Sequence, residues 1–374
     1  MLFAGFSTFS LLYATQPLLP LFAREYRLSA EAASLAVSAA TGPLAVGILV
    51  AGAVSDRVGR RPLMVAAMLG AAMLTLAAAV APGWGALLAA RVLTGLALAG
   101  VPAVAMAYVS EEVDAGSAGA AMGLYIAGSA LGGMGGRLLA GVLADVTSWR
   151  WALGVVGAVG LAMAESFRRL APASARFIRV EGRPALRPLF ADRALPILFG
   201  EAFLLMGAFV TIYNYASFRL LAPPYRLGQA AVSAVFLLYL LGSASSAWFG
   251  TLAGRVGRRR VFPLPVILLL VGVALTTARA LPLVIAGVGV VTVGFFGAHS
   301  IASAWVGARA RAARGQAAAC YLFCYYAGSS LLGSAGGVAW SRAGWPGVAG
   351  FCGLLGLLAL TGAVLLARTP PLAD

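Results

Sequence analysis

Four ionisable side chains interrupt otherwise apolar stretches of this chain: Arg91, Arg137, Glu201 and His299. Charge within such a stretch is costly, so each is a candidate for function. A carboxyl and the only histidine, Glu201 and His299, are groups that bind and release protons, which makes them the candidate coupling pair. The bland alternative is a structural hydrogen bond fixing one helix against another. Arg91 and Arg137 suit either an anionic group or backbone carbonyls exposed near glycines. Polar aromatics form a further set: Tyr13 with Gln16, Tyr213 with Asn214, Tyr239, and Tyr325 with Tyr326. Tyrosine faces can hold cations or sugar rings. A last cluster lies in GAVSDRVGRRP (52–62), which GTLAGRVGRRR (250–260) repeats with Gly254 in place of Asp56. The cysteines Cys320, Cys324 and Cys352 sit in apolar surroundings and read as buried thiols, so no metal site and no cofactor are expected.

The elements that must carry these residues follow from composition. The chain has 374 residues, 61% hydrophobic and 10% charged, where a soluble domain would carry about 25% charge. Twelve stretches meet the length and apolarity of a membrane-spanning helix, at approximately 3–22, 32–54, 62–81, 84–109, 118–143, 151–166, 195–218, 230–253, 261–278, 281–306, 316–339 and 347–366. Residues 1–22 lack a basic leader region and read as a retained first helix. The net charge is +15 and every basic residue is arginine. These arginines occupy short gaps between spans instead of forming one patch, which speaks against nucleic-acid binding. With the N-terminus inside, 18 arginines fall on the cytoplasmic side and 7 on the other, so both termini are expected to be cytoplasmic. At the usual helical rise, Glu201 and His299 each lie about 10 Å from that side.

The polar gap 167–194 divides the spans six and six, giving an N-terminal bundle at 1–166, a linker, and a C-terminal bundle at 195–374. The halves repeat. Gly52 matches Gly250, and AGSALGGMGG (127–136) lies over AGSSLLGSAGG (327–337). Two parallel six-helix bundles related by an axis along the membrane normal are expected, with a site between them near mid-depth.

At this point the motifs resemble a known family. GxxxDRxGRR after the second span is similar to the signature loop of the major facilitator superfamily, and RVLTGLALAG (91–100) to its second motif. The glycine run of the fifth span resembles the antiporter motif of the drug:proton branch. GEAFLLMGAFVTIYNY (200–215), GFFGAHSIASAWVG (294–307) and YLFCYYAGSSLLGSAGG (321–337) resemble the bacterial YnfM-type inner-membrane transporters. Two departures stand out. Gly133 occupies a usual proline position and Arg137 that of a second glycine, and the first span has no acid.

The resemblance implies the twelve-helix major facilitator fold, with spans 7 and 10 lining a central cavity. It also implies a cytoplasmic gate built from Gly52, Asp56, Arg57, Gly59, Arg60 and Arg61. Across the repeat, Arg255, Arg258 and Arg259 are expected to answer acids before the fifth span, Glu112 and Asp114 among them. Glycines 128, 132, 133, 136, 333, 336 and 337 are expected at the seam between halves.

Together these readings describe a secondary transporter of the bacterial inner membrane, working by alternating access. The expected activity is proton-coupled efflux of small organic molecules or drugs, by a monomer whose partners are its substrate, protons and the bilayer. No nucleotide loop or catalytic triad is present in the sequence, so an enzyme is not expected. The alternatives are a sugar or metabolite exporter and, from another class, a transport-inactive sensor or scaffold.

Overall fold

The computed structural model describes residues 1–174, 187–310 and 313–369. The centre of the expected linker, with Arg176, Arg179 and Arg183, and also Arg311, lies outside the described residues. The described chain is helical, without strands. Among the described residues seven helices are long and apolar enough to cross a membrane, and one of these, Arg314–Ala367, merges two helices across a kink. Of the remaining spans, three are made of shorter pieces, and the sixth is the single helix Trp149–Leu170.

In chain order α1 is Leu2–Tyr13 continued by Leu19–Glu25, α2 Ala30–Val58, α3 Arg60–Ala79, and α4 Trp84–Leu98 continued by Ala105–Glu112. Then come α5 (Ala115–Val146), α6 (Trp149–Leu170) and α7 (Ala194–Leu221). α8 is Gln229–Ser233 with Tyr239–Val256, α9 Arg258–Val261 with Pro263–Leu275, and α10 Leu281–Arg309. The last element divides at Ala343 and Gly344 into α11 (314–342) and α12 (345–367).

The interruptions have local causes. Pro17 and Pro102 bring no N–H to the ladder, and the chain breaks around each of them, at Ala14–Leu18 and at 99–104. Helix starts are sealed where the sequence offers a hydroxyl: Ser29 accepts from the Ala32 amide at 3.1 Å and Ser148 from the Trp151 amide at 3.4 Å. Two corners need glycine. Gly59 joins α2 to α3 with φ +92°, and Gly257 joins α8 to α9 with φ +102°, a region that side-chain-bearing residues rarely enter. They stand at equivalent places in the two copies of the signature, so the repeat read in the sequence is also a repeat of backbone geometry.

By packing, the chain forms two units, one of Met1–Gly182 with Leu220–Phe236, the other of Arg183–Arg219 with Leu237–Asp374. In the first, α1 lies along α5. Gly128, Gly132 and Gly136, spaced four apart, make the stripe beneath it. A methyl group built on Gly128 would stand 2.1 Å from the Leu2 carbonyl oxygen, and on Gly132 2.2 Å from that of Phe6. In the second unit α7 and α11 meet in the same way: a methyl group on Gly328 would stand 2.1 Å from the Phe203 carbonyl oxygen, and on Gly336 2.3 Å from Thr211 Cγ2. Of the glycines expected at a seam between halves, Gly128, Gly132, Gly136 and Gly336 thus seat helices within a unit, where small residues let backbones approach. Gly133 is roomier, with Arg137 Nη1 3.3 Å from its would-be methyl. Gly333 lies beside Val210, and Gly337 is buried. Large apolar side chains such as Val46, Leu49, Leu93, Ile126, Leu240 and Leu357 are exposed, as lipid-facing positions require.

Candidate functional site

In the first unit the buried arginines are held by backbone. Arg91 is 1% exposed. Its Nε donates to the Ala36 carbonyl and its Nη1 to that of Leu11, both at 3.0 Å, and its Nη2 donates to that of Leu12. The Leu11 and Leu12 carbonyls belong to the last turn of α1 before the Pro17 break, where intrahelical donors run out. Arg91 therefore caps an interrupted helix from the side. Of the two roles open to it, anion binding and carbonyl support, the geometry displays the second.

Arg137 is also buried. Its Nε donates to Gln16 Oε1 at 2.6 Å and its Nη1 to the Gly133 carbonyl, while the guanidinium lies 4.1 Å from the centre of the Tyr13 ring and 5.3 Å from that of Phe236. Arg137, singled out in the sequence apart from Tyr13 and Gln16, thus forms one cluster with them.

The signature loop forms a second cluster in this unit. Arg60 is buried and donates through Nη1 to Asp56 Oδ1 at 2.6 Å, through Nη2 to Glu111 Oε1 at 3.1 Å, and to the Ser55 hydroxyl. Arg61 donates from its backbone to Ser174 at 3.0 Å and from its side chain to the Arg168 carbonyl. Arg57 is exposed, and Asp114 stands at the start of α5. Glu111 is the acid that Arg60 engages. It lies in the last turn of the Ala105–Glu112 piece of α4; the sequence offers it as one of the acids before the fifth span, but its pairing with Arg60, on a separate element, could not be read by adjacency.

In the second unit the proton candidates do not share a hydrogen bond. Glu201, on α7, is 1% exposed, and neither of its carboxyl oxygens has a hydrogen-bond partner among the described residues. It occupies a niche opened by a glycine: a methyl group on Gly362 of α12 would stand 2.3 Å from Glu201 Oε1. His299 Nδ1 is instead 2.9 Å from the Tyr321 hydroxyl of α11. The imidazole stacks on Phe295 at 5.9 Å and lies 4.8 Å from Tyr325. Gly362 and Tyr321 were missed in the sequence. Nothing local marks Gly362, one of 47 glycines. Tyr321 stands one helical turn before Tyr325 and could have been found by that spacing.

The remaining polar aromatics continue this cluster. The Tyr213 and Thr292 hydroxyls are 2.7 Å apart, the Tyr213 and Tyr239 rings meet edge to face at 5.2 Å, and Phe209 stacks on Phe295 at 4.0 Å. Tyr325 and Tyr326 pack at 5.0 Å, and Asn214 Nδ2 lies 3.5 Å from the would-be methyl of Gly333. The arginines of the second signature copy, Arg258 and Arg259, line a cavity with Arg260 and Arg309, while Arg255 is exposed.

Residues 1–247 match the family model described as Major Facilitator Superfamily. The chain belongs to the major facilitator superfamily. It is 43% identical over 367 residues to the inner membrane transport protein YnfM of Escherichia coli (strain K12), covering 96% of this chain and 87% of that one. A chloramphenicol resistance protein of Streptomyces lividans is 31% identical over 197 residues, half of this chain. Among solved structures, a bacterial homologue of the human lysosomal transporter Spinster, inward-facing and occupied, superimposes with a TM-score of 0.79 over 99% of this chain and 96% of that one. At 14% identity that likeness shows the fold. The chain is a multi-pass membrane transporter of this superfamily, and the twelve-helix fold expected from the sequence is the one it has.

Proposed function

We propose that this transporter exports small organic molecules in exchange for protons, from a bacterial inner membrane in which both termini are cytoplasmic. The observation that supports the reading best is the state of Glu201. It is buried within the spanning part of α7, and no described group donates to either oxygen. A carboxylate left charged and unpaired in such a place is expensive by several kcal/mol, whereas the protonated acid is accommodated. A group stable there with its proton, and able to lose it when water reaches the site, is what coupling to a proton gradient requires. His299, hydrogen-bonded to Tyr321, is the second protonatable group of the same unit.

A relative and the aromatic side chains support the direction and the kind of cargo. The Streptomyces lividans relative is a chloramphenicol resistance protein, and removal of a drug from the cell is one way in which a membrane transporter can confer resistance. The partly exposed ring of Tyr325 suits flat or cationic organic molecules, while Tyr13, Tyr213 and Tyr239 are buried. In this reading Asp56, Arg60 and Glu111 form the cytoplasmic gate, and Arg137 with Gln16 and Tyr13 forms a polar lining of the N-terminal half. The chain works as a monomer.

The test uses the purified protein in vesicles containing a pH-sensitive dye. Lipophilic cationic dyes, pentoses and hexoses are added in turn, and proton movement is recorded. Movement driven by the cationic dyes supports the reading; movement driven by sugars alone makes the chain a proton-linked sugar carrier. Substrate flux without any proton movement overturns the coupling.

A further inference from the structure

The two copies of the signature loop share a backbone corner but differ in charge balance. In the first, Arg60 is neutralised by Asp56 and Glu111. In the second, Gly254 stands where Asp56 stands in the first, and its surroundings are open: nothing lies within 4 Å of a methyl group built there. Packing therefore does not demand glycine at 254. What the glycine does is leave the following arginines without a carboxylate of their own. Among the described residues no ion pair joins Arg258, Arg259 or Arg260 to an acid.

These three arginines follow the Gly257 corner and, with Arg309 and Trp305, line a cavity of ≈ 520 Å³ in the second unit. Arg309 is fixed by Asp192, whose two oxygens both lie 2.9 Å from its Nε. Asp192 thus answers one of the four guanidinium groups. Arg259 is the telling member. Its Nη2 is buried and has no hydrogen-bond partner among the described residues. A buried guanidinium donor without an acceptor is costly, and the cost is removed if an acceptor enters the cavity. Guanidinium forks match the oxygens of a phosphate, and several can share one such group. The indole of Trp305 and the side chain of Val256 add an apolar wall for whatever the phosphate carries.

We propose that the cavity between the end of α8, the start of α9 and the end of α10 is an anion site for a phosphate group, supplied by an anionic phospholipid headgroup or by a free phosphate. The site stands apart from the proton pathway and does not rest on it. It gives the second signature copy a task different from that of the first: Asp56 and Glu111 hold their arginine internally, whereas Arg258 and Arg259 hold an external anion.

Binding is measured on the full-length protein with two probes. One is inorganic phosphate, read as a thermal shift in detergent. The other is phosphatidylglycerol against phosphatidylcholine in nanodiscs, read as lipid retained in native mass spectrometry. The variant is Arg258→Gln with Arg259→Gln, and Arg342→Gln, an exposed arginine of α11 outside the cavity, controls for net charge. The double variant should bind about tenfold more weakly, and the control should bind as wild type does. Loss confined to phosphatidylglycerol names the lipid as the source; loss extending to inorganic phosphate names the free anion. Should the double variant fail to fold, Arg259→Lys, which keeps the charge without the fork, should still weaken binding several-fold. Equal binding by cavity variant and control, or no preference of the wild type for either anion, overturns the site.

Discussion

The stripe of glycines under α1 can be tested by substituting two adjacent residues. A methyl group at Gly132 would stand 2.2 Å from the Phe6 carbonyl oxygen and 2.5 Å from the Phe6 Cα. Both atoms are backbone, so no side chain can swing away, and α1 has to retreat by roughly 1 Å to restore ordinary contact. Overpacking of that kind costs about 1–3 kcal/mol. At Gly133 the nearest atoms are the far end of Arg137 at 3.3 Å and Phe9 Cβ at 3.8 Å, so a methyl group nearly fits. Alanine raises helix propensity by about 1 kcal/mol at either position, and this gain cancels when the two variants are compared. Gly132→Ala should therefore be less stable than Gly133→Ala by about 1–3 kcal/mol. Equilibrium denaturation in mild detergent, followed by tryptophan fluorescence, measures the difference. Two variants equal to within about 0.5 kcal/mol, the usual scatter of substitutions that strain nothing, would refute the close approach of α1 and α5.

Two other consequences follow from the polar contacts. Arg91→Gln takes the guanidinium donors from the Leu11 and Leu12 carbonyls, while the Ala36 carbonyl keeps the Thr15 hydroxyl, and should destabilise the protein by about 2 kcal/mol or more; a loss below about 1 kcal/mol, by the same denaturation, would mean that the broken end of α1 does not depend on Arg91. Tyr321→Phe removes the hydroxyl that His299 uses and should cost about 1 kcal/mol of stability. It should also shift the pH profile of proton-driven transport; an unchanged profile would take His299 out of the proton pathway.

Much of the fold was legible because the bilayer imposes a simple rule. Apolar runs of sufficient length announce spans, and twelve were readable from hydropathy and arginine placement. The interruptions were less so. The fourth span, read as continuous over 84–109, is broken at 99–104, because the energetic effect of Pro102 depends on what receives the freed backbone groups. The sixth, read as 151–166, is Trp149–Leu170, since polar and charged residues continue its last turn beyond the apolar run. Candidate residues were legible by type, not by partner. Arg137 with Gln16 and Tyr13 were all named, yet their assembly needs the α1–α5 contact. Glu201 and His299 were matched by depth along their helices, but depth says nothing of azimuth. Glu201 turns to Gly362 and His299 to Tyr321. The glycines were legible as sites of close approach, while the helix that approaches them was not.

The central claim is that Glu201 carries the coupled proton. The most direct measurement takes a substrate identified in the vesicle panel and compares two modes of transport in Glu201→Gln vesicles. One is exchange of labelled for unlabelled substrate, which needs no net proton movement. The other is accumulation driven by an imposed proton gradient. If Glu201 carries the coupled proton, exchange continues and gradient-driven accumulation is lost. Accumulation by Glu201→Gln at the wild-type level would contradict it and return Glu201 to the role of a buried structural acid.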